Sequence, residues 1–442
     1  MIRMSYSPIT DVFRSLASRP RSSTKGPLDA NDAPITSPVP SQAARFAGSQ
    51  QAGPRTSLSM APRSSTPRSP APPSTSSTAM AKDFSFLLRP EIYHQLSPLS
   101  VPAPFRVPSR QPAPETPIPE LLRGGHFRAA AIAAVQALTI PNSPSTPLSS
   151  DPARIFELLY TRLACLCLID AASLAAQESK ALEDLNSAFY MDPLTGAHLV
   201  PWELRVLGVR LQAIGFGDPR RAVMSYYELA REARIHIVQA VKAHDHSAAE
   251  TWKRRLAELG VKVAGALVEM DDLAGAAEHL STLGDGDQTF KIGADGRLAM
   301  SRALLWLHLG DVEAARRCVR DGKGGEIGER IVDALADMAD GEYESALEKW
   351  QVLREGGAQD EMVGVNLAVC LLYTGNMAKA KDVLEGLVDA GQTSHTLLFN
   401  LTTMYELCTD RHKNLKLQLA ERVASREPSQ QGWEKTNADF KL

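Results

Sequence analysis

The sequence predicts an all-α protein, a tetratricopeptide-like α-solenoid preceded by a disordered N-terminal tail. Three observations carry this reading. Composition changes from Ser, Thr, Pro and Arg at the N-terminus to Ala, Leu and mixed charges further on. A helix–turn–helix unit recurs at Gly310, Gly341 and Gly375, spaced 31 and 34 residues apart, close to the period of about 34 of a tetratricopeptide array. No set of β-branched runs alternates with helical segments, which disfavours a doubly wound α/β sheet.

The tail comes first. Residues 1–85 contain ten Lys or Arg and four Asp, about +6, so the rest must carry about −9 to give the net −3. So few large apolar residues cannot offset the entropy of ordering the chain, and residues 1–82 are expected to be disordered. Arg3, Arg14, Arg19 and Arg21 around Ile9, Val12, Phe13 and Leu16 have some transit-peptide character, against which Asp11 stands. The N-terminus lacks the apolar core of a secretory signal, and the chain lacks an apolar run of about 18 residues that would span a membrane. Ser/Thr-Pro pairs at Ser7, Ser37, Thr66, Ser69, Ser97 and Thr116 would accept proline-directed phosphorylation.

Residues 83–119 form a second region. FSFLLRPEIYHQL is apolar enough to dock, and the Pro-rich run after it reads as extended, packing along the first helices of the solenoid.

Residues 120–426 form the helical repeat domain. Each unit has an apolar helix, a turn, an apolar residue two positions on and Ala five positions on. The repeat-packing residues are Gly310 with Ala315, Gly341 with Ala346, and Gly375 with Ala380. Glycine relieves strain where the first helix ends, and the small alanine lets the second helix approach closely. Tyr343, Ala346, Leu347 and Trp350 show the i, i+3, i+4, i+7 spacing of a buried stripe. Weaker copies stand at Gly125 with Ala130, Asp170 with Ala175, Gly217 with Ala222, and Asp271 with Ala276. A loop is expected from Thr139 to Pro152, and long helices from Tyr226 to Met270. The last pair uses Leu397, Leu401, Met404 and Tyr405, then a long charged helix bearing Leu415, Leu419 and Val423. Residues 427–442 read as a flexible C-terminal tail. Six or seven pairs, none able to bury its apolar face alone, should stack into a curved solenoid.

Catalytic, cofactor and metal sites are expected to be none. Neither a phosphate-binding Gly-rich loop nor a nucleophile or zinc-protease motif occurs. Gly284–Asp287 resembles half a calcium loop without its closing Glu. His244 and His246 flank Asp245 and read as solvated. The cysteines Cys165, Cys167, Cys318, Cys370 and Cys408 lie in apolar helical contexts and read as buried free thiols. The acidic solenoid excludes a nucleic-acid surface; Lys253-Arg254-Arg255 and Arg316-Arg317 read as solvated faces. Membrane contact is at most peripheral.

The run LLFNLTTMYELCTDR, residues 397–411, is the distinctive part of the chain. Phe399, Asn400, Leu401, Thr403, Met404, Tyr405, Glu406 and Leu407 resemble the C-terminal signature of subunit 12 of the transport protein particle (TRAPP) complex, a tetratricopeptide subunit. GVNLAVCLLYTGNMAKAKDVLE and ADGEYESALEKW upstream are similar as well, and the Ser/Pro-rich tail suggests a fungal-style member. The resemblance covers residues 83–442. It implies a non-catalytic scaffold in a TRAPP III-type vesicle-tethering complex of endoplasmic reticulum to Golgi transport and autophagy. Its partners would be large accessory subunits and, indirectly, a Rab GTPase. Its place would be cytoplasmic, peripheral to Golgi and endoplasmic reticulum–Golgi intermediate membranes. Lys413, Lys416 and Arg422 on the last helix are the candidate partner-binding residues; packing of that helix as a simple cap stands beside that reading. The alternative function is a co-chaperone gripping peptide C-termini, with Asn366 and Asn400 as candidates but no matching Lys or Arg on first helices.

Overall fold

The computed structural model describes residues 82–140, 147–285, 296–321, 325–356, 360–430 and 432–442. The expectations for the tail, for Pro141 and Pro144, and for Gly286 and Asp287 lie outside the described residues. All that follows belongs to the unit Ala81–Leu442.

The described chain is all-α. The helices are α1 (Ile118–Arg123), α2 (Phe127–Thr139), α3 (Pro152–Leu168), α4 (Ala172–Ser179), α5 (Trp202–Phe216), α6 (Pro219–Lys242), α7 (His246–Glu269) and α8 (Leu273–Asp285). They continue as α9 (Gly296–Leu309), α10 (Val312–Asp321), α11 (Gly325–Asp340), α12 (Tyr343–Glu355), α13 (Glu361–Tyr373), α14 (Met377–Asp389), α15 (His395–Cys408) and α16 (His412–Ala424). Among the described residues the only β pairing is one bridge, Met191 with His198.

One turn chemistry repeats along the array. Gly310, Gly341 and Gly375 sit at φ +84°, +84° and +81°, where a Cβ would be strained. The next residue returns its N–H to the carbonyl five positions back: Asp311 to Trp306 at 3.0 Å, Glu342 to Asp337 at 2.8 Å, Asn376 to Leu371 at 2.7 Å. This closes the helix end and reverses the chain. The same bond closes the turns at Asp170, Gly217, His244 and Asp271, where non-glycine residues accept φ of 57–60° at three of the four. The residue after the turn then opens the next helix. Asp245, Asp272 and Asp311 accept N–H bonds from Ala248, Gly275 and Ala314 at 2.9, 2.9 and 2.8 Å.

The turn at His244 divides the long helices expected from Tyr226 to Met270. His244 and Asp245 close α6 and cap α7, so the long helical stretch is two antiparallel helices of 24 residues each. No group of three or more possible ligands for a metal ion exists among the described residues.

Packing follows the small residues. Ala315, Ala346 and Ala380 are fully buried. Trp350 is buried in one cluster with Ala346 and Ala380 and donates its indole N–H to the Met338 sulfur at 3.2 Å. Tyr343 and Tyr373 stack at 4.3 Å and tie α12 to α13. Asp337 on α11 binds Lys349 and the Ser345 hydroxyl on α12, each at 2.6 Å. Cys165 and Cys370 are buried, and burial raises their thiols to about 12 and about 11. Cys408, expected to be buried, is exposed at the end of α15.

Residues 83–119 differ from an extended strap. They form short 3-10 turns at Ser85–Leu88, Pro90–Ile92, Pro98–Ser100, Ala103–Arg106 and Pro108–Arg110. Proline fixes φ at a value those turns use, and each spends one local N–H on a carbonyl three back. Phe84 and Leu87 are buried in the core of α2, α3 and α4, as expected. Val101 and Phe105 are buried instead among α11 to α16.

Candidate partner-binding surface

The terminal helix pair holds the distinctive residues. On α15, Leu401, Thr402, Met404 and Tyr405 are buried, while Phe399 and Leu407 are 40% and 55% exposed. The distinctive run therefore divides between core and surface. Tyr405 reaches Glu385 on α14 at 2.9 Å, and burial with that bond raises its phenol. Lys441 lies 5.1 Å from the Phe399 ring centre.

The three basic residues of α16 separate. Lys413 is exposed. Lys416, expected on a partner-binding face, is only 4% exposed. It donates to Glu406 at 2.6 Å and to the Lys441 carbonyl at 3.1 Å. Lys441 also pairs with Glu406, and the two lysines lower the Glu406 carboxyl to about 2. Arg422 stands 3.5 Å from Asp389 and lines a groove with Glu385 and Tyr405. Lys416 thus serves the fold, and only Lys413 presents its charge without such ties. The helix is also short, 13 residues rather than long.

The reason is the C-terminal segment. Residues 432–442, expected to be flexible, turn back and pack. Trp433 and Phe440 are 5% and 0% exposed. Both meet Phe105, with ring centres 5.4 and 6.1 Å away. The Trp433 amide bonds the Gly125 carbonyl at 3.1 Å, and the Asn437 amide bonds Ser100 at 2.8 Å. A Cβ at Gly125 would stand 2.0 Å from the Ser429 carbonyl oxygen, so only glycine permits this approach. Arg128 on α2 pairs with Glu434 and donates to the Ser97 carbonyl at 2.9 Å and the Ser100 hydroxyl at 3.1 Å. His395 and Asp439 bond at 2.6 Å; burial opposes ionisation of Asp439, but His395 and Thr436 hold its carboxyl below the usual range. The first and last helix pairs of the array are thereby joined.

A second anchor lies at the other end of the strap. Arg162 and Glu178, 1% and 2% exposed, form a two-pronged pair at 2.9 and 2.6 Å. Arg162 also donates to the His94 carbonyl at 2.7 Å, and Glu178 accepts from the His94 amide at 2.9 Å. Residue 94 of the strap is so clamped to α3 and α4 by one buried ion pair. Neither residue was a candidate from sequence. Both sit in ordinary Leu/Ala-rich helical text, and nothing local marks their meeting.

Of the two side chains proposed for a co-chaperone groove, Asn366 is engaged within its own helix, donating to the Met362 carbonyl at 3.0 Å. No described helix is long and apolar enough to cross a membrane.

Paired helices, αL turns and buried alanines define the class: a tetratricopeptide-like α-solenoid whose exposed faces are suited to binding other proteins. No family model matches the chain. Mouse trafficking protein particle complex subunit 12 is 23% identical over 305 residues, 61% of this chain and 37% of that protein. The human protein of the same name is 23% identical over 312 residues, 63% and 42% of the two chains. The chain is similar to trafficking protein particle complex subunit 12 over this stretch and spans less than half the length of those proteins. A tetratricopeptide repeat protein from Parabacteroides merdae aligns at 14% identity with a TM-score of 0.33, over 61% of this chain and 90% of that one. The fold assignment rests on this chain's own turns and packing.

Proposed function

We propose that the chain is a non-catalytic scaffold subunit of a TRAPP III-type vesicle-tethering complex, acting in endoplasmic reticulum to Golgi transport and autophagy. The observation that supports this most is the alignment over 305 residues with the mouse subunit. An array of helix pairs exposes long faces and suits the holding of several partners. Its partners in this reading are the large accessory subunits of the complex, with a Rab GTPase reached through them. It would sit in the cytoplasm, peripheral to Golgi and endoplasmic reticulum–Golgi intermediate membranes. The proposed domain plan is a tail to residue 82, a strap to residue 119, and the repeat domain from residue 120 to 426.

Affinity purification of the tagged full chain from its own cells, followed by mass spectrometry, tests the reading. Trafficking protein particle subunits should co-purify. Recovery of chaperones in their place would favour the co-chaperone alternative and overturn the proposal. The chain alone should leave nucleotide exchange on a Rab GTPase at its intrinsic rate.

A further inference from the structure

Helix α6 has two apolar faces. Its inner face is ordinary: Ala222, Tyr226, Leu229, Ala233 and Ile237 are buried. Its outer face is not. Met224, Tyr227, Ile235, Val238 and Val241 are 65%, 43%, 52%, 52% and 55% exposed. Their spacings of three, eight, three and three residues place them within an arc of about 120°. Single exposed apolar residues need no explanation, but a stripe along one helix does. Such a stripe raises the cost of the free surface and earns nothing for the fold.

The charges on this face are one-sided. Arg220, Arg231, Arg234 and Lys242 are exposed and interleave with the stripe. Glu228, the acidic residue beside them, accepts from Asn186. This basic strip lies on a chain of net −3. It therefore selects its occupant. A second copy laid on the same face would set Arg231 and Arg234 against their own counterparts, which is repulsive. The stripe is helical and about 26 Å long, matching a helix rather than a loop.

We propose that the outer face of α6 docks an acidic amphipathic helix of another protein of the assembly; this rests on the scaffold reading. Apolar residues at three- and four-residue spacing on the partner would cover Met224, Ile235, Val238 and Val241, with Tyr227, whose hydroxyl meets His279 of α8 at 3.3 Å, at the edge. Its flanking Asp or Glu residues would meet Arg231 and Arg234.

Two exposed-face variants and one cross-link test this in the full chain purified with its native partners. Ile235→Glu with Val238→Glu, and Arg231→Glu with Arg234→Glu, should keep the helical circular dichroism and melting temperature, since all four side chains are in solvent. Each should reduce retention of one partner by about tenfold or more. A photoreactive residue at Val238 should cross-link to a net acidic helical segment of that partner. Cross-linking to a second copy, to a basic segment, to lipid or to nothing overturns the proposal. So does binding of the purified chain to phosphatidylcholine/phosphatidylserine vesicles that the arginine reversal abolishes. If trafficking subunits co-purify equally with wild type and both variants, the docking surface is wrong and the scaffold reading survives. If they are absent from the wild-type sample, the scaffold reading itself fails.

Discussion

The stretch from α9 to α14 and the segments that close the array are held by different kinds of information. In the first, each turn is a local device. A residue at positive φ, an N–H returned five positions back and a buried alanine recur at Gly310, Gly341 and Gly375. In the second, the bonds join residues far apart in sequence. Asn437 reaches Leu99 at 2.9 Å across 338 positions, and Arg128 meets Glu434 across 306. Local devices repeat and so announce themselves. Long-range contacts occur once, between residue types that also suit solvent.

Breaking the strap's anchor should have the largest effect. Arg162→Ala leaves Glu178 buried and unpaired and should cost about 3–5 kcal/mol. Urea unfolding with amide exchange around His94 would measure both the loss and its location. A change confined to a few tenths would mean that the strap is held by Phe84 and Leu87 alone.

Overpacking the array comes next. Ala346→Trp fills the space where α12 meets its neighbours and should cost ~1–3 kcal/mol or more. An unchanged thermal midpoint would show that the repeat register is misplaced.

The turns give a smaller and signed effect. Gly341→Ala forces a Cβ into φ +84° and should cost about 1–2 kcal/mol. His244→Gly relieves the same conformation at φ 57° and should stabilise by up to about 1 kcal/mol. Equal signs in denaturant midpoints would contradict a shared turn chemistry.

Acidification should act least, on the closure and on the Asp337 pairs that join α11 to α12. The folded carboxyl of Glu406 lies near 2 against an ordinary 4.5, and that of Asp439 lies below 3.8. Depressed carboxyls stabilise above their unfolded values and lose that contribution as pH falls through the folded ones. Amide protection at Trp433 and Asn437 should therefore fade from about pH 4.5 downward while the protection of α3, whose Arg162–Glu178 pair is buried, persists. Simultaneous loss in both regions would deny the closure separate behaviour.

Much of the array could be read directly. Gly310, Gly341 and Gly375 marked the turns, and the stripe through Ala346 and Trp350 marked the inner face. Asp271 and Asp170 were legible as weaker turns because Asp tolerates positive φ. His244 read as solvated, which it is, but its residue type did not mark a positive-φ turn as glycine does. The candidate surface was less legible. Lys416 looked like a solvated cation on a basic helix, and only the returning Lys441 carbonyl and Glu406 show it as buried.

Sequence by itself determined the helical class, the repeat period and the turns. These depend on residues within one or two helical turns of each other, where propensity, spacing and φ preference act. Tertiary structure alone decided that Arg162 meets Glu178, that Trp433 and Phe440 enclose Phe105, and that α6 keeps a second apolar face in solvent. Such outcomes depend on which surfaces the stacked helices leave uncovered, and no local preference along the chain encodes that.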